Sequence, residues 1–367
     1  METPVKPIAQ NTLHICSAAE ALALLRKHGG HGNAAFMRSL ADAVSDENNH
    51  ITGTVGDFNN LIDRFEALGD YFDALRVCDF ALKIYPRSAT LLAITLNTCA
   101  RSGADGETYL AAAESLGREN WNEPRLFKDA AEYCRTRALC CPPEQTEAYF
   151  EKALSVCRDF QRIFPLDERG YMKEATVLLD KNRTADAENV LRRVIFEKIT
   201  ANGRPQPLNA ANCCKLYLTE ILKKSLEYDL ILRIAQKGLS FSAAEQNSEH
   251  MGYFSYRLAL AKTALVIESD YRNKADIEEA LTCCQRAFDL VTFQSYADDL
   301  KRCYVQLCEN PQNPIDLNAP PCKAHFKHRR DRFRTDTKLN LSFKMPCSVK
   351  RTGHFSFVRS KFRMRRS

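Results

Sequence analysis

Residues 57–86 read DFNNLIDRFEALGDYFDALRVCDFALKIYP, and the fold follows from how this stretch is spaced. Phe58, Leu61, Ile62, Phe65 and Leu68 recur at steps of three and four, which puts them on one face of a helix. Gly69 suits a left-handed helix end, and Asp70 suits the N-cap of a second helix. In that second helix Ala74, Val77, Cys78, Ala81 and Leu82 form the inner face, and Pro86 closes it. Ala74 and Ala81 are small where two antiparallel helices have to approach closely. A helix pair of this size cannot bury its apolar face alone, so it implies stacked neighbours.

The next unit supports that expectation. Gly69 and Gly103 stand 34 residues apart, with a helix predicted from Ser88 to Arg101 and another from Asp105 to Leu116. The stretch resembles a tetratricopeptide repeat (TPR). Phe58 and Phe65 fill its two aromatic positions in the first helix, and Leu61 the leucine. Ala74 and Ala81 are the small residues of the second helix, and Pro86 is the terminal proline. Cys78 replaces an aromatic, and Ile62 replaces a small residue after the leucine. The resemblance implies an all-α, right-handed superhelix (solenoid) of stacked antiparallel helix pairs. It also implies a protein-binding concave groove, with Asn59, Asp63 and Glu66 of one repeat and Asn97 and Arg101 of the next facing the partner. Asp63 and Glu66 are the wrong sign for a clamp on a carboxylate, so a basic or polar peptide suits this groove better.

Outward from this stretch, Ser17 and Glu20 form a capping box that opens a first helix. His28 to Asn33 breaks the chain. It contains three glycines but no following Lys-Ser/Thr, so it reads as a helix connection and not a phosphate loop. Trp121, the single tryptophan, is expected to pack across a repeat junction. Helices are then predicted over 124–139, 143–164, 167–179, 184–199, 209–222, 228–238, 250–269, 275–290 and 293–308. Ala187, Leu191 and Val194, and again Ala280, Cys284 and Ala287, repeat the spacing of Ala74, Cys78 and Ala81. Gly238 takes a small position. The predicted organisation is a flexible N-terminus over 1–16, a TPR-like array over 17–309, a Pro/Asn-rich linker over 310–321 and a disordered tail over 322–367.

The 367 residues are 45% hydrophobic and 27% charged, ordinary values for a globular chain with a large core. The net charge of +6 conceals a split. Of 52 Lys/Arg and 46 Asp/Glu, 15 and 2 respectively lie in 322–367, so the tail carries +13 and the rest −7. In that tail Phe326, Phe333, Phe343, Phe355, Phe357 and Phe362 alternate with basic residues. Lys327, Arg329, Arg330, Arg332, Arg334, Arg359, Lys361, Arg363, Arg365 and Arg366 could neutralise phosphates while the rings stack on bases. RNA or another polyanion is therefore the alternative partner.

No motif of a nucleophilic, metal-dependent or phosphoryl-transfer enzyme is present, and no cofactor is expected. Cys303, Cys308, Cys322, His325 and His328 offer zinc-binding atoms, but their spacing is not that of structural zinc sites. The 15 cysteines include no CxxC pair, and they read as small buried apolar residues. No apolar run suits a signal peptide or membrane span, which suggests a cytoplasmic protein. The expected function is a non-catalytic interaction scaffold or adaptor. The alternatives are a nucleic-acid- or ribosome-associated protein, or the sensor or regulatory subunit of a larger system.

Overall fold

The computed structural model describes residues 15–30 and 33–309, and among them the chain forms fifteen α-helices. They run as α1 (Ala18–His28), α2 (Ala34–Ser45), α3 (Val55–Ala67), α4 (Tyr71–Ile84) and α5 (Ala89–Ser102). Next come α6 (Glu107–Ser115), α7 (Pro124–Cys140), α8 (Pro143–Ile163), α9 (Glu168–Asp180) and α10 (Thr184–Phe196). The last are α11 (Ala211–Leu216), α12 (Tyr228–Ala244), α13 (Ser248–Glu268), α14 (Lys274–Leu290) and α15 (Gln294–Cys308).

The caps explain where the index pair begins and turns. Thr54 and Asp57 exchange side-chain and backbone hydrogen bonds, a capping box that starts α3 three residues before the stretch quoted above. At its other end Gly69 adopts φ +79°, its N–H reaches the Glu66 carbonyl, and the Asp70 N–H reaches back to Phe65. This is a Schellman motif, and only glycine enters that backbone region without strain. Asp70 then caps α4 through the Asp73 N–H at 3.2 Å. The inner faces meet as expected: Phe58, Leu61, Ile62, Phe65, Ala74, Val77, Cys78 and Ala81 are all fully buried.

Each helix packs on the next one in sequence, and the odd-numbered helices also pack on each other. Contacts join α1 to α3, α3 to α5, α5 to α7, α7 to α9 and α9 to α11, and α13 to α15. A linear stack of helix hairpins produces this two-layer pattern. The small residues sit where the stacking needs them, with Ala187, Ala280 and Ala287 fully buried alongside Leu191, Val194 and Cys284. Trp121 lies at a junction, fully buried, with its ring edge-on to Phe127 at 4.6 Å and its Nε1–H donating to the Ala113 carbonyl at 2.7 Å. The final helix, α15, buries Ala297, Leu300, Tyr304, Leu307 and Cys308 and exposes Ser295, Asp298, Arg302 and Gln306. One apolar and one polar face is what a terminal helix of an array requires.

Three local expectations change. Ile15 is buried and the Cys16 carbonyl accepts from Thr52 N–H at 3.1 Å, so the first anchored residues lie inside the segment read as loose. The helix read over 184–199 stops at Phe196, and Ile199–Ala201 pairs antiparallel with Arg204–Gln206 as β1 and β2. Asn202 and Gly203 make the turn at φ +50° and +71°, the Asn-Gly signature of a tight hairpin. The helix read over 209–222 is α11 followed by a π turn over Tyr217–Ile221 and a 3₁₀ turn over Leu222–Lys224.

Candidate interaction face of the odd-numbered helices

The residues singled out on α3 and α5 lie on adjoining helices, and the structure organises them into two networks. Asn59 donates to Asp63 at 3.1 Å and accepts from Arg125 of α7 at 3.1 Å, while Arg125 also lies 3.7 Å from Asp63. One repeat after Asn59 stands Ala93, buried on the intervening helix α5, so no long side chain is present at that level. Arg125 continues to the carboxylate of Asp129 at 3.3 Å, which Lys128 also approaches at 2.9 Å. Asp129 is almost fully buried, and that burial pushes its carboxyl above the ordinary range against the pull of the two cations.

Glu66 belongs to the second network and is 6% exposed. Its carboxylate accepts from Thr98 at 2.6 Å, Arg101 at 2.9 Å and Asn97 at 3.5 Å, all from α5. Arg101 completes the set by donating to the Tyr71 hydroxyl at 2.8 Å, with its guanidinium 5.0 Å from the Tyr71 ring centre. A buried carboxylate with this many donors ties α3 to α5, because removing its partners would leave a charge in a poorly solvated place. Asp63, Asn97 and Arg101 keep solvent-facing surface, whereas Glu66 presents almost none. Arg101, Arg125 and Lys128 each already face a carboxylate of the same surface, so none stands ready as a free cation for a C-terminal carboxylate.

The same construction continues along the row, at positions that no sequence motif marks. Glu132 of α7 pairs with Arg135 at 2.8 Å and with Lys173 of α9 at 2.6 Å, and Arg135 reaches Asp180 at 2.5 Å. Burial works against ionising Glu132, but the hydrogen bonds and charges of Arg135 and Lys173 outweigh it and hold the carboxyl down to about 2. A carboxyl whose pKa is depressed on folding stabilises the fold above its unfolded value and loses that contribution as pH falls through the folded one. Glu132 therefore contributes on the order of 3 kcal/mol at neutral pH, lost between about pH 4.5 and 2. Urea titrations across that window should show Glu132→Gln with a lower plateau and a flatter acid limb than wild type. Parallel acid limbs would show that the pair does not act this way.

Further along, Glu168 of α9 caps α11 from outside the helix. It accepts from Asn212 N–H at 3.0 Å and Cys213 N–H at 3.4 Å, and from the Asn212 side chain. The sequence offered Asn209 as the start of this helix, but the Asn209 amide donates to the Phe241 carbonyl at 3.2 Å and the helix opens at Ala211. Ala210, at the N-cap, has no side-chain oxygen, so the orphan N–H groups are met by a carboxylate from another repeat.

The ten basic tail residues from Lys327 to Arg366 lie outside the described residues, as do Cys322, His325 and His328. Cys303 and Cys308 are on α15, Cys308 buried, and among the described residues no three His, Cys, Asp or Glu side chains are arranged to hold a metal. Burial pushes the thiols of Cys78, Cys99, Cys134 and Cys284 up to about 12, the condition of inert core residues. Among the described residues no helix is long and apolar enough to cross a membrane.

Paired helices, small residues at the crossing points and a contiguous odd-helix layer define a TPR-like helical-repeat protein. Among solved structures, the chain is similar to TTC0263, described as a thermophilic TPR protein in Thermus thermophilus. The match has 16% identity over 69% of this chain and 97% of that one, with a TM-score of 0.35. No protein-family model and no curated protein matches the chain.

Proposed function

We propose that the chain is a non-catalytic interaction scaffold that holds a peptide or helix of a partner protein across α3, α5 and α7. The observation that carries this reading is the contiguity of that surface. Side chains of α3 and α7 meet through Arg125 over α5, and Asp63, Asn97 and Arg101 keep solvent-facing atoms there. Its cations are already matched by carboxylates, so the surface suits a polar or basic segment, and shape and hydrogen bonding carry its selectivity. A benzophenone amino acid at position 97 of the full chain should cross-link a discrete partner. The same group at Ser295, on the exposed side of α15, should not. Adding Asp63→Lys should abolish the cross-link at position 97. An unaltered adduct pattern in that variant, or the same adducts from position 295, would remove the proposal. The +13 charge of residues 322–367 supports a second reading, in which the tail adds attraction to RNA or another polyanion.

A further inference from the structure

A cleft of about 390 Å³ opens away from the odd-helix face, between α10, the start of α12 and the end of α13. Its apolar wall includes Leu226, Leu230 and Leu265, and Leu226 is 73% exposed, the highest value among the large apolar residues described. The irregular end of α11 shapes this rim. The π turn over Tyr217–Ile221 and the 3₁₀ turn over Leu222–Lys224 lead directly into Leu226 and Glu227, and the Tyr217 hydroxyl ties the distorted turn to Glu188 of α10 at 2.6 Å. A π turn is uncommon and gives up regular helical geometry, and such turns recur at functional sites.

The charges in the cleft are unbalanced. Glu227, Asp229 and Glu268 line it, and among the described residues none of the three has an ion-pair partner. The two cations present have other contacts: Arg192 pairs with Glu188 at 3.1 Å, and Arg233 lies over the Phe196 ring at 5.2 Å. Glu227 and Asp229 at the start of α12 agree with the helix dipole, so their presence needs no ligand. Glu268 is the opposite case. It is the last residue of α13, where the dipole is negative and an acidic side chain is unfavourable. An unpaired carboxylate at a disfavoured helix end, facing two more across a leucine-walled cleft, is suited to a cation that arrives from outside.

We infer that this cleft binds an arginine side chain of a partner polypeptide flanked by an aliphatic residue. The guanidinium lies between Glu268 and the Glu227/Asp229 pair, and the aliphatic neighbour packs on Leu226 and Leu265. Arginine is favoured over lysine because its planar head can bridge separated carboxylates and stack on Tyr228, which also lines the cleft. The site shares no residue with the α3–α5–α7 surface, so its fate does not depend on the function proposed above.

The test uses the full chain and a labelled, end-capped pentapeptide alternating leucine and arginine, read by fluorescence anisotropy at low salt. A matched peptide carries citrulline in place of arginine. The arginine peptide should bind at least fivefold more tightly than the citrulline one, and Glu227→Gln with Glu268→Gln should remove that difference. Leu226→Ser should weaken the arginine peptide severalfold, and Asp63→Asn should leave it unchanged. All these side chains are exposed, so the variants keep the fold. Equal affinity for the two peptides would overturn the assignment. So would retention of full binding by the double glutamine variant, or a loss on Asp63→Asn that matches it.

Discussion

Trp121→Ala should lower the stability of the region around α5 to α8 by about 3–5 kcal/mol, among the largest losses any single substitution in this chain would produce. The indole is fully buried, edge-on to Phe127, which in turn stacks on Phe160 at 5.4 Å. Removing it opens a cavity where helices from successive pairs meet, and a close-packed interior relaxes only partly into such a space. The Nε1–H bond to the Ala113 carbonyl is a separate and smaller contribution, so Trp121→Phe should cost only about 1–2 kcal/mol more than the lost area implies. Because repeats interact chiefly with their neighbours, the damage should be local. Hydrogen exchange should show α5–α8 losing protection while α13–α15 keep theirs, with urea unfolding followed by circular dichroism giving the magnitude. Uniform loss of protection along the whole chain would mean that the array unfolds as one unit.

Gly238→Ala decides between two opposing effects. Within a helix, alanine is favoured over glycine by about 1 kcal/mol, so on an exposed face this substitution would stabilise. At position 238 a Cβ would stand 2.3 Å from one ring carbon of Phe254 and 2.5 Å from another, and Phe254 is fully buried on α13. Overpacking of this kind costs about 1–3 kcal/mol, enough to reverse the sign. A net destabilisation of about 1–2 kcal/mol is expected, and Phe254→Leu in the same chain should recover part of it. The double-mutant cycle should therefore show clear coupling. Additive effects, or a stabilised single variant, would show that α12 and α13 have room to move apart.

Gly238 also shows how far spacing alone can lead. Its small side is legible because it falls where Ala74 and Ala81 fall in the index pair, and it marks a close helix approach. That the helix carries on through it to Ala244 is not legible, since propensity favours a stop there and only packing against α13 overrides it. The Asn202-Gly203 hairpin was within reach of the sequence, because that dipeptide is a strong turn signal, but its flanks are only three residues each. Glu66 is the instructive case on the candidate face. Its helical position neighbours the groove positions, and nothing local distinguishes a solvent-facing carboxylate from a buried one. The clue was Thr98 and Arg101, roughly one repeat further on, which can meet Glu66 only if α3 and α5 lie side by side.

Periodicity along one chain was sufficient for the elements themselves. Helical spacing, caps such as Asp70 and Ser17, and alanine at the crossing positions are local properties, and they determined that this protein is a stack of helix pairs. Tertiary structure decided which polar groups are spent inside that stack and which remain outside it. Arg125 reaching Asn59, Glu168 capping α11 and the unpaired Glu268 beside Leu226 all depend on residues tens of positions apart meeting in space. Burial and ion pairing are properties of such meetings, so they appear only once the helices have been packed.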